Sequence, residues 1–592
     1  SVLDAQRIFL RGEHPDTLST MGQLAAILLK RGELDEAEAI YRQVYDARKW
    51  YFGDEDRRTL RSMERVAGVL ELHGEVEEAE RWYHKTYTGR KRVLGESHDA
   101  TLDVMTALYH IYHDRGAYDK AELMARRIHA GYRDYVGESH DDTLDALQAI
   151  GYSLHKQNRF DQAQVFYEQF LEKYGDESLT DSDARLCAHR LANALYAQRK
   201  YDEASDYYFR VVSSYEQYEP SSAMALEAQT GYAESLRALR RVDEALALFH
   251  HVAAAYEQMH GQSHALTLTA KKQVGLALRN LNRSEEAAEI YREVLIGQIA
   301  ALGEEHHEVL STKNSLGNIL RRMGEFEEAE RLHRAVLTAR EKNLGSENYE
   351  TLYSAHCLAS DLEKQWQLEE STSLYRRAFD GRRKAFGAAH FATMESFYGT
   401  MMALLKQGKN SDAESLARGF LKELEQKLSS DDFYIPTNRR WLVLALLAQG
   451  KTSDAEPIVR QNILILKKHP NQHPAQLLGA QSDLAHCLLE RGKAEEATNY
   501  LTECLTKLSE SLPEGHPAVS VTQARLGNAL RLQAKYQDAE SQLGKALPRL
   551  RDAYGDRYFA TDAAFHHLLD IYQKIGEAEK VSALRKSFGS GK

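Results

Sequence analysis

The chain has 592 residues, of which only 9 are proline and 4 are cysteine, and its net charge is −12. Apolar residues make up 43% and charged residues 28%, a balance typical of a folded globular chain. The scarcity of proline favours long helices with short turns, the few scattered cysteines exclude a disulfide scaffold, and the acidic balance argues against a generic nucleic-acid binder.

A repeat of 42 residues, shortened twice to 41, runs through the whole chain. Each repeat is marked by a turn position, mostly Gly or Asn, that precedes an acidic segment and a small residue. Gly or Asn is typical of a helix that ends in the left-handed conformation. The turn positions are Gly32, Gly74, Gly116, Asn158, Arg199, Arg240, Asn282, Gly324, Trp366, Gly408, Gly450, Gly492, Ala534 and Gly576.

Other positions keep the same register. Leu or Tyr lies four residues before every turn, Ala lies five residues after nearly every turn, and an aromatic residue often lies nine after it. We interpret each repeat as a helix A, a tight turn and a helix B. The small residue allows a close approach of the two helices, and the aromatic fills the gap toward the next repeat. We therefore predict an all-α fold of about 14 helix-turn-helix repeats.

Irregular stretches at 174–184, 214–222 and 428–438 either bend the array of repeats or are longer surface loops. We divide the chain into the end of a truncated preceding repeat (1–14), repeats 1 to 4 (15–173), repeats 5 to 10 (174–427), and repeats 11 to 14 with a polar C-terminal cap (428–592). The first residues align with the end of a helix B and no initiator Met is present. We therefore expect that the chain is a fragment of a longer protein.

The Leu, turn, Ala and aromatic positions resemble those of the tetratricopeptide repeat (TPR). The period and the linkers, such as 95–102 and 137–144, resemble the kinesin light chain-like subfamily, and the last repeat, 568–585, resembles the TPR tails of large bacterial serine/threonine kinases. The resemblance implies a superhelical solenoid whose helix A residues line a concave groove.

Motifs of catalysis are missing from the sequence, which has no HExxH, no phosphate loop, no GxSxG and no dinucleotide-binding glycines. A histidine recurs 18 residues before several turns. Stacked repeats would hold these side chains about 10 Å or more apart, so we expect them to close the loop before helix A rather than to bind a metal. We predict no catalytic residue, no cofactor and no metal. The recurring histidines are His14, His98, His140, His264, His306, His390 and His516.

Polar residues on the helix A face are the candidate ligand contacts. In peptide-binding TPRs, an Asn at this place binds the peptide backbone and an Arg or Lys one turn later meets an acidic side chain, so the resemblance implies a peptide site. Kinesin light chain-like grooves further imply an acidic peptide with an aromatic anchor, although solvated helix faces are the alternative. The predicted residues are Asn193, Arg237, Lys272, Arg279, Asn314, Asn318, Arg321, Arg322, Arg525, Asn528 and Arg531.

The same face turns apolar in repeats 10 and 11, where Tyr398, Met402, Trp441 and Leu444 take the equivalent positions. Exposed apolar patches usually mark contacts. This one is an aromatic-anchor pocket, a dimer surface, or a patch covered by a neighbouring segment.

Taken together, these features predict a non-enzymatic scaffold for protein–protein interaction that binds a peptide or partner protein in a concave groove. The alternative is a sensor or substrate-recruitment region of a larger signalling enzyme, either a bacterial serine/threonine kinase or a nucleotide-dependent signalling ATPase. The first residues form no apolar signal core, and the longest apolar run, 441–448, is too short to span a bilayer, so we expect a cytoplasmic protein without a membrane partner. The oligomeric state is left open.

Overall fold

A computed structural model describes residues 14–173, 179–218, 222–429, 432, 434–468, 474–513 and 515–588. Within these ranges the chain forms 28 α-helices and no strand, which confirms the predicted all-α class. The chain divides into two compact units, Ser1–Arg283 and Ser284–Lys592. Except for His14, the segment predicted to end a preceding repeat lies outside the described residues, and the three irregular stretches are only partly described.

The first unit holds thirteen of these helices, with helix A of each repeat carrying an odd number and helix B an even number. Each helix packs against the next one along the chain. The bounds are α1 Pro15–Arg31, α2 Leu34–Phe52, α3 Arg57–His73, α4 Val76–Leu94, α5 Asp99–Asp114, α6 Tyr118–Val136, α7 Asp141–Lys156, α8 Phe160–Leu171, α9 Ser182–Ala197, α10 Tyr201–Tyr218, α11 Ala223–Ala238, α12 Val242–His260 and α13 Ala265–Asn280.

The second unit continues the same alternation and begins with a helix B. Its helices again pack in sequential order. The bounds are α14 Ser284–Leu302, α15 His307–Met323, α16 Phe326–Leu344, α17 Tyr349–Lys364, α18 Leu368–Phe386, α19 Phe391–Lys406, α20 Asn410–Glu425, α21 Tyr434–Leu447, α22 Thr452–Leu466, α23 Pro474–Glu490, α24 Ala494–Ser511, α25 Pro517–Leu532, α26 Tyr536–Tyr554, α27 Phe559–Lys574 and α28 Ala578–Phe588.

The turns between helix A and helix B are left-handed, as predicted. All 14 turn positions have a positive φ, including the six that are not glycine. At Gly32 the backbone N–H donates to the carbonyl of Leu29 at 3.1 Å, and the N–H of Glu33 donates to that of Leu28 at 3.0 Å. These two bonds satisfy carbonyl groups that the end of α1 would otherwise leave unpaired, and they hold the chain for an immediate second helix.

The predicted core register is confirmed. The alanines five residues after the turns, such as Ala37 and Ala329, are fully buried, and so are leucines four residues before the turns, such as Leu70 and Leu320. The aromatic that follows in helix B packs toward the next repeat in two cases. The ring of Tyr208 lies against Gly231, and that of Tyr375 lies against Gly399.

The recurring histidines close the loops before helix A, as expected. Each of the seven accepts a hydrogen bond at Nδ1 from the backbone N–H two residues later, which caps the helix. Asp56 and Asn348 make the same contact for α3 and α17. In the same linkers a threonine hydroxyl donates to a glycine carbonyl, as from Thr101 to Gly95 at 2.9 Å.

Replacement of a capping histidine should destabilise the first turn of one helix. In His98→Ala the amide of Ala100 loses its hydrogen-bond acceptor. Its hydrogen exchange should become faster, in line with a loss of helix stability of about 1 kcal/mol. His98→Asn should keep the slow rate, because Asn348 caps α17 in the same way. Amide exchange followed by mass spectrometry checks this, and equal rates in all three proteins would contradict the capping role.

Two glycines in neighbouring helices should respond to alanine with opposite signs. A Cβ at Gly399 would lie 2.5 Å from the Tyr375 ring, so Gly399→Ala should lower the stability of the second unit by about 1–3 kcal/mol. A Cβ at Gly419 meets nothing within 4 Å, so Gly419→Ala should raise the stability by up to about 1 kcal/mol. Denaturant midpoints measure both effects, and a neutral Gly399→Ala would show that the ring moves freely.

Candidate peptide-binding and contact surfaces

The predicted polar residues lie along the A helices of both units. Their side chains differ in the partners that they contact. The structure places Asn193 on α9, Arg237 on α11, Lys272 and Arg279 on α13, Asn314, Asn318, Arg321 and Arg322 on α15, and Arg525, Asn528 and Arg531 on α25.

In the second unit, Arg321 is held by an acid of the following repeat. Its Nη1 donates to Oδ1 of Asp361 at 3.2 Å and to the carbonyl oxygen of Cys357 at 3.2 Å, and both residues lie on α17. Its Nη2 donates to Oδ1 of Asn318 at 2.6 Å. The pair that the family resemblance assigned to a peptide ligand therefore has partners within the chain.

The carboxylate that holds Arg321 is fully buried and shared. Asp361 makes a short hydrogen bond through Oδ2 with Nδ1 of His333, and Nε2 of His333 lies 3.2 Å from the carbonyl oxygen of Asn314. His333 takes the position that is aromatic in other repeats, and Gly317 leaves room for its ring. This network links α15, α16 and α17, so it contributes to the packing of two adjacent repeats.

The same arrangement recurs on α25. Arg531 donates through Nη1 to Oδ2 of Asp570 at 2.6 Å, and through Nε and Nη2 to Oδ1 of Asn528 at 3.1 and 2.9 Å. Burial works against the charge of Asp570, but hydrogen bonds from Arg531 and Lys574 outweigh it and lower its pKa. The sequence motif Leu-Gly-Asn-x-Leu-Arg thus marks an ion pair between successive repeats.

Arg525 belongs to a third buried ion cluster. Its Nη1 donates to Oδ1 of Asp483 at 2.8 Å and to Oγ of Ser482 at 2.9 Å, while Nε of Arg440 donates to Oδ2 of Asp483 at 3.0 Å. Burial opposes the charge of Asp483, but the two guanidinium groups outweigh it and lower its pKa. One buried carboxylate therefore stands between two arginines, which leaves a local excess of positive charge.

The first unit carries polar groups that lack such partners. On α11 and α13, Nε of Arg237 and Oε1 of Gln273 are buried without a hydrogen-bond partner in the described part of the chain. Arg279 is half-buried, and no described residue forms a hydrogen bond or ion pair with it. Nε2 of Gln273 donates to Oε1 of Glu234 at 3.2 Å, which joins the two helices. Burial raises the pKa of Glu234 in spite of Arg237 nearby.

The other predicted residues of the first unit are less open to a ligand. Asn193 accepts a short hydrogen bond from the hydroxyl of Tyr208, and Lys272 is half-buried on α13. Sequence reasoning missed Glu234 and Gln273. The signal for Glu234 was present, since it lies six residues before its turn, as Asn193 and Asn318 do in their repeats, and Gln273 directly follows Lys272.

The apolar residues of repeats 10 and 11 surround a cavity of about 330 Å³ in the second unit. All four predicted residues line it. The rings of Tyr398 on α19 and Trp441 on α21 stack with centroids 5.9 Å apart, and Met402 and Leu444 lie beside them. The structure therefore brings these four side chains to one cavity.

A loop of the same unit covers this surface. Tyr554 and Tyr558, at the junction of α26 and α27, line the cavity and stack on each other at 4.3 Å, and Gly555 between them lies against the ring of Trp366. This matches the third alternative above, a patch covered by a neighbouring segment. The signal in the sequence is that Tyr558 replaces the capping histidine, and it makes no side-chain cap for α27.

The described residues offer few groups for metal binding or covalent chemistry. They contain no group of three or more His, Cys, Asp or Glu side chains that could hold a metal, and none of their helices has the length and apolar character that a bilayer span requires. The four cysteines are buried, and burial raises the pKa of each thiol, so these thiols pack rather than react.

Sequence profiles of the tetratricopeptide repeat match most of the chain. The matches cover 17–57, 58–134, 145–176, 186–219, 232–266, 267–308, 309–350, 351–392 and 476–552. No curated protein matches the chain.

Three of the solved structures that match each align with less than half of the chain. A Podosopora anserina protein described as a kinesin light chain with nearly identical TPR-like repeats is 24% identical, covers 33% of this chain and 94% of its own, and has a TM-score of 0.32. BtubC from P. vanneervenii is 16% identical over 41% of this chain and 92% of its own, with a TM-score of 0.32. The C-terminal part of a TPR repeat-containing protein from Cytophaga hutchinsonii is 13% identical. It covers 49% of this chain and 98% of its own, with a TM-score of 0.36.

Loss of Arg321 should destabilise the second unit far more than loss of its neighbour. Arg321→Ala leaves Asp361 buried without its guanidinium partner, which should cost about 3 kcal/mol. Arg322→Ala, at an exposed position, should change stability by less than about 0.5 kcal/mol. Denaturant midpoints followed by circular dichroism compare the two.

A double variant separates a buried-charge effect from lost packing. Arg321→Ala combined with Asp361→Asn should cost less than the sum of the single changes, because no uncompensated carboxylate remains. If Arg321→Ala and Arg322→Ala behave alike, the interaction with Asp361 contributes nothing to the fold.

Proposed function

Because the chain belongs to the tetratricopeptide repeat family, an interaction fold, we propose that it is a non-enzymatic scaffold that binds an extended acidic peptide segment of a partner protein on α11 and α13. Family membership supports protein partners in general. The face and the peptide class are proposed from the polar groups of the first unit.

One observation carries this proposal. Two buried polar atoms on adjacent A helices, Nε of Arg237 and Oε1 of Gln273, have no hydrogen-bond partner among the described residues. Buried donors and acceptors are normally satisfied, because an unpaired one costs about 1–3 kcal/mol. A ligand that supplies one acceptor and one donor would remove that cost once the two side chains turn toward it.

A peptide main chain has the required chemistry. Its carbonyl oxygen can accept from Arg237, and its N–H can donate to Oε1 of Gln273. Arg279, one repeat further along the chain than Arg237, has no internal ion pair among the described residues and is suited to a carboxylate in fork geometry. An acidic side chain two or more residues from the contacted peptide unit would therefore complete the site.

The predicted residues on α15 and α25 fit this function less directly. A peptide carboxylate at Arg321 would compete with Asp361, and one at Arg531 would compete with Asp570. We therefore give these arginines, with Asn318 and Asn528, a positioning role in the packing of repeats. An aromatic anchor in the peptide stays a prediction.

Charge reversal on this face should abolish acidic-peptide binding. Peptides selected from a random display library against the full chain should be rich in Asp and Glu. Their affinity, measured by fluorescence anisotropy, should fall by at least about ten-fold in Arg237→Glu with Arg279→Glu, a loss of about 1.4 kcal/mol or more. Raised salt should weaken binding to the native chain in the same direction.

The matched control is Arg199→Glu with Arg240→Glu, the same charge change at two exposed turns of the first unit. It should leave the affinity within about two-fold, since surface charges at a distance are screened. Selection of neutral or basic peptides, or equal losses in the control and in Arg237→Glu with Arg279→Glu, would contradict the proposed face.

The alternative function, as the sensing or recruiting region of a larger signalling enzyme, is compatible with the same face. It stays a prediction, and so does the resemblance of the last repeat to kinase tails. A cytoplasmic location also stays a prediction.

A further inference from the structure

We propose that the cavity of the second unit is a binding site for a small aromatic carboxylate. It is separate from the peptide face of the first unit, because its lining residues all belong to helices and loops between α19 and α27. Aromatic rings form part of its walls. Its polar residues carry one net positive charge and two atoms that have no hydrogen-bond partner among the described residues.

The size of the cavity suits a small organic molecule. Its volume of about 330 Å³ equals that of roughly ten water molecules at about 30 Å³ each, and it lies at the lower end of the range of about 300–1,000 Å³ found for ligand sites. A nucleotide or an extended peptide would need more room. A single ring with a short acidic side arm fits this volume.

The rings that line the cavity favour an aromatic body. Tyr398 and Trp441 form one stacked pair, and Tyr554 and Tyr558 form another. Aromatic faces and edges pack well against another ring, in offset-stacked or edge-to-face geometry. Met402 and Leu444 add apolar surface to the lining.

The polar groups favour an anion. Arg440 and Arg525 share the single carboxylate of Asp483, so the ionised side chains of this cluster carry one net positive charge. Arg525 is buried, with 6% of its surface exposed, yet its Nη2 has no hydrogen-bond partner in the described ranges. A ligand carboxylate in the cavity would neutralise this excess charge.

A second unpaired atom favours a donor on the ligand. Asn462 on α22 is 2% exposed and lines the cavity, and its Oδ1 has no hydrogen-bond partner in the part of the chain that the structure describes. Its Nδ2 donates to the carbonyl oxygen of Pro436 at 3.4 Å, so the amide oxygen is the free end. A ring N–H or hydroxyl on the ligand would satisfy it.

The test uses four probes with the full chain, namely indole-3-acetate, 4-hydroxyphenylacetate, 3-phenylpropionate and the amine tryptamine. Calorimetry and thermal shift report binding. The three carboxylates should bind saturably and raise the thermal midpoint of the second unit, and those with a ring donor should bind more tightly. Tryptamine should not bind, because the net positive charge of the arginine cluster repels its ammonium group.

Two variants assign binding to the cavity. Leu444→Trp fills it and should abolish binding, whereas Leu464→Trp makes the same change at a site 67% exposed on α22 and should leave affinity unchanged. Arg525→Lys keeps the charge but loses the second terminal nitrogen, so carboxylate affinity should fall by about ten-fold. Circular dichroism shows whether each variant is folded.

Three results would overturn the proposal. They are no saturable binding of any carboxylate at millimolar concentration, equal binding of tryptamine, and undiminished binding to folded Leu444→Trp. The double variant Arg237→Glu with Arg279→Glu should bind the carboxylates normally, so failure of the peptide face and failure of the cavity are distinguishable.

Discussion

The close contact of the two helices in each repeat is the constraint on which the rest of this structure depends. A left-handed turn reverses the chain within a few residues, and a fully buried alanine such as Ala329 lets helix B approach helix A. Close-packed interiors tolerate little change in volume, so this geometry fixes which positions of helix A face the core and which face outward. The outward positions are then available for ion pairs or ligands.

The outward polar positions serve two different purposes. On α15 and α25 an Asn orients an Arg toward an acid of the following repeat, so polar side chains contribute to the stacking of repeats. On α11 and α13, Nε of Arg237 and Oε1 of Gln273 have no hydrogen-bond partner among the described residues. Polar residues of helix A thus form ion pairs between repeats at Arg321 and Arg531, whereas Arg237 has no such partner among the described residues.

The sequence predicted the elements and register of this fold because both depend on local spacing. Left-handed turns, buried Leu and Ala positions and capping histidines all follow from residues a few positions apart. It could not predict the partner of Arg321, because Asp361 lies 40 residues away and its orientation depends on the stacking of repeats. Nor could it predict that Tyr554 and Tyr558 would cover the apolar patch, since that contact joins repeats that are distant in the chain.

The most direct test of the central claim is hydrogen exchange of the full chain with and without a selected acidic peptide. If the unpaired face of the first unit is the binding surface, exchange should slow in α11 and α13 and stay unchanged in α15 and α25. Protection confined to α15 or α25 would contradict the account, because it would show that Arg321 or Arg531 leaves its internal acid to bind the ligand.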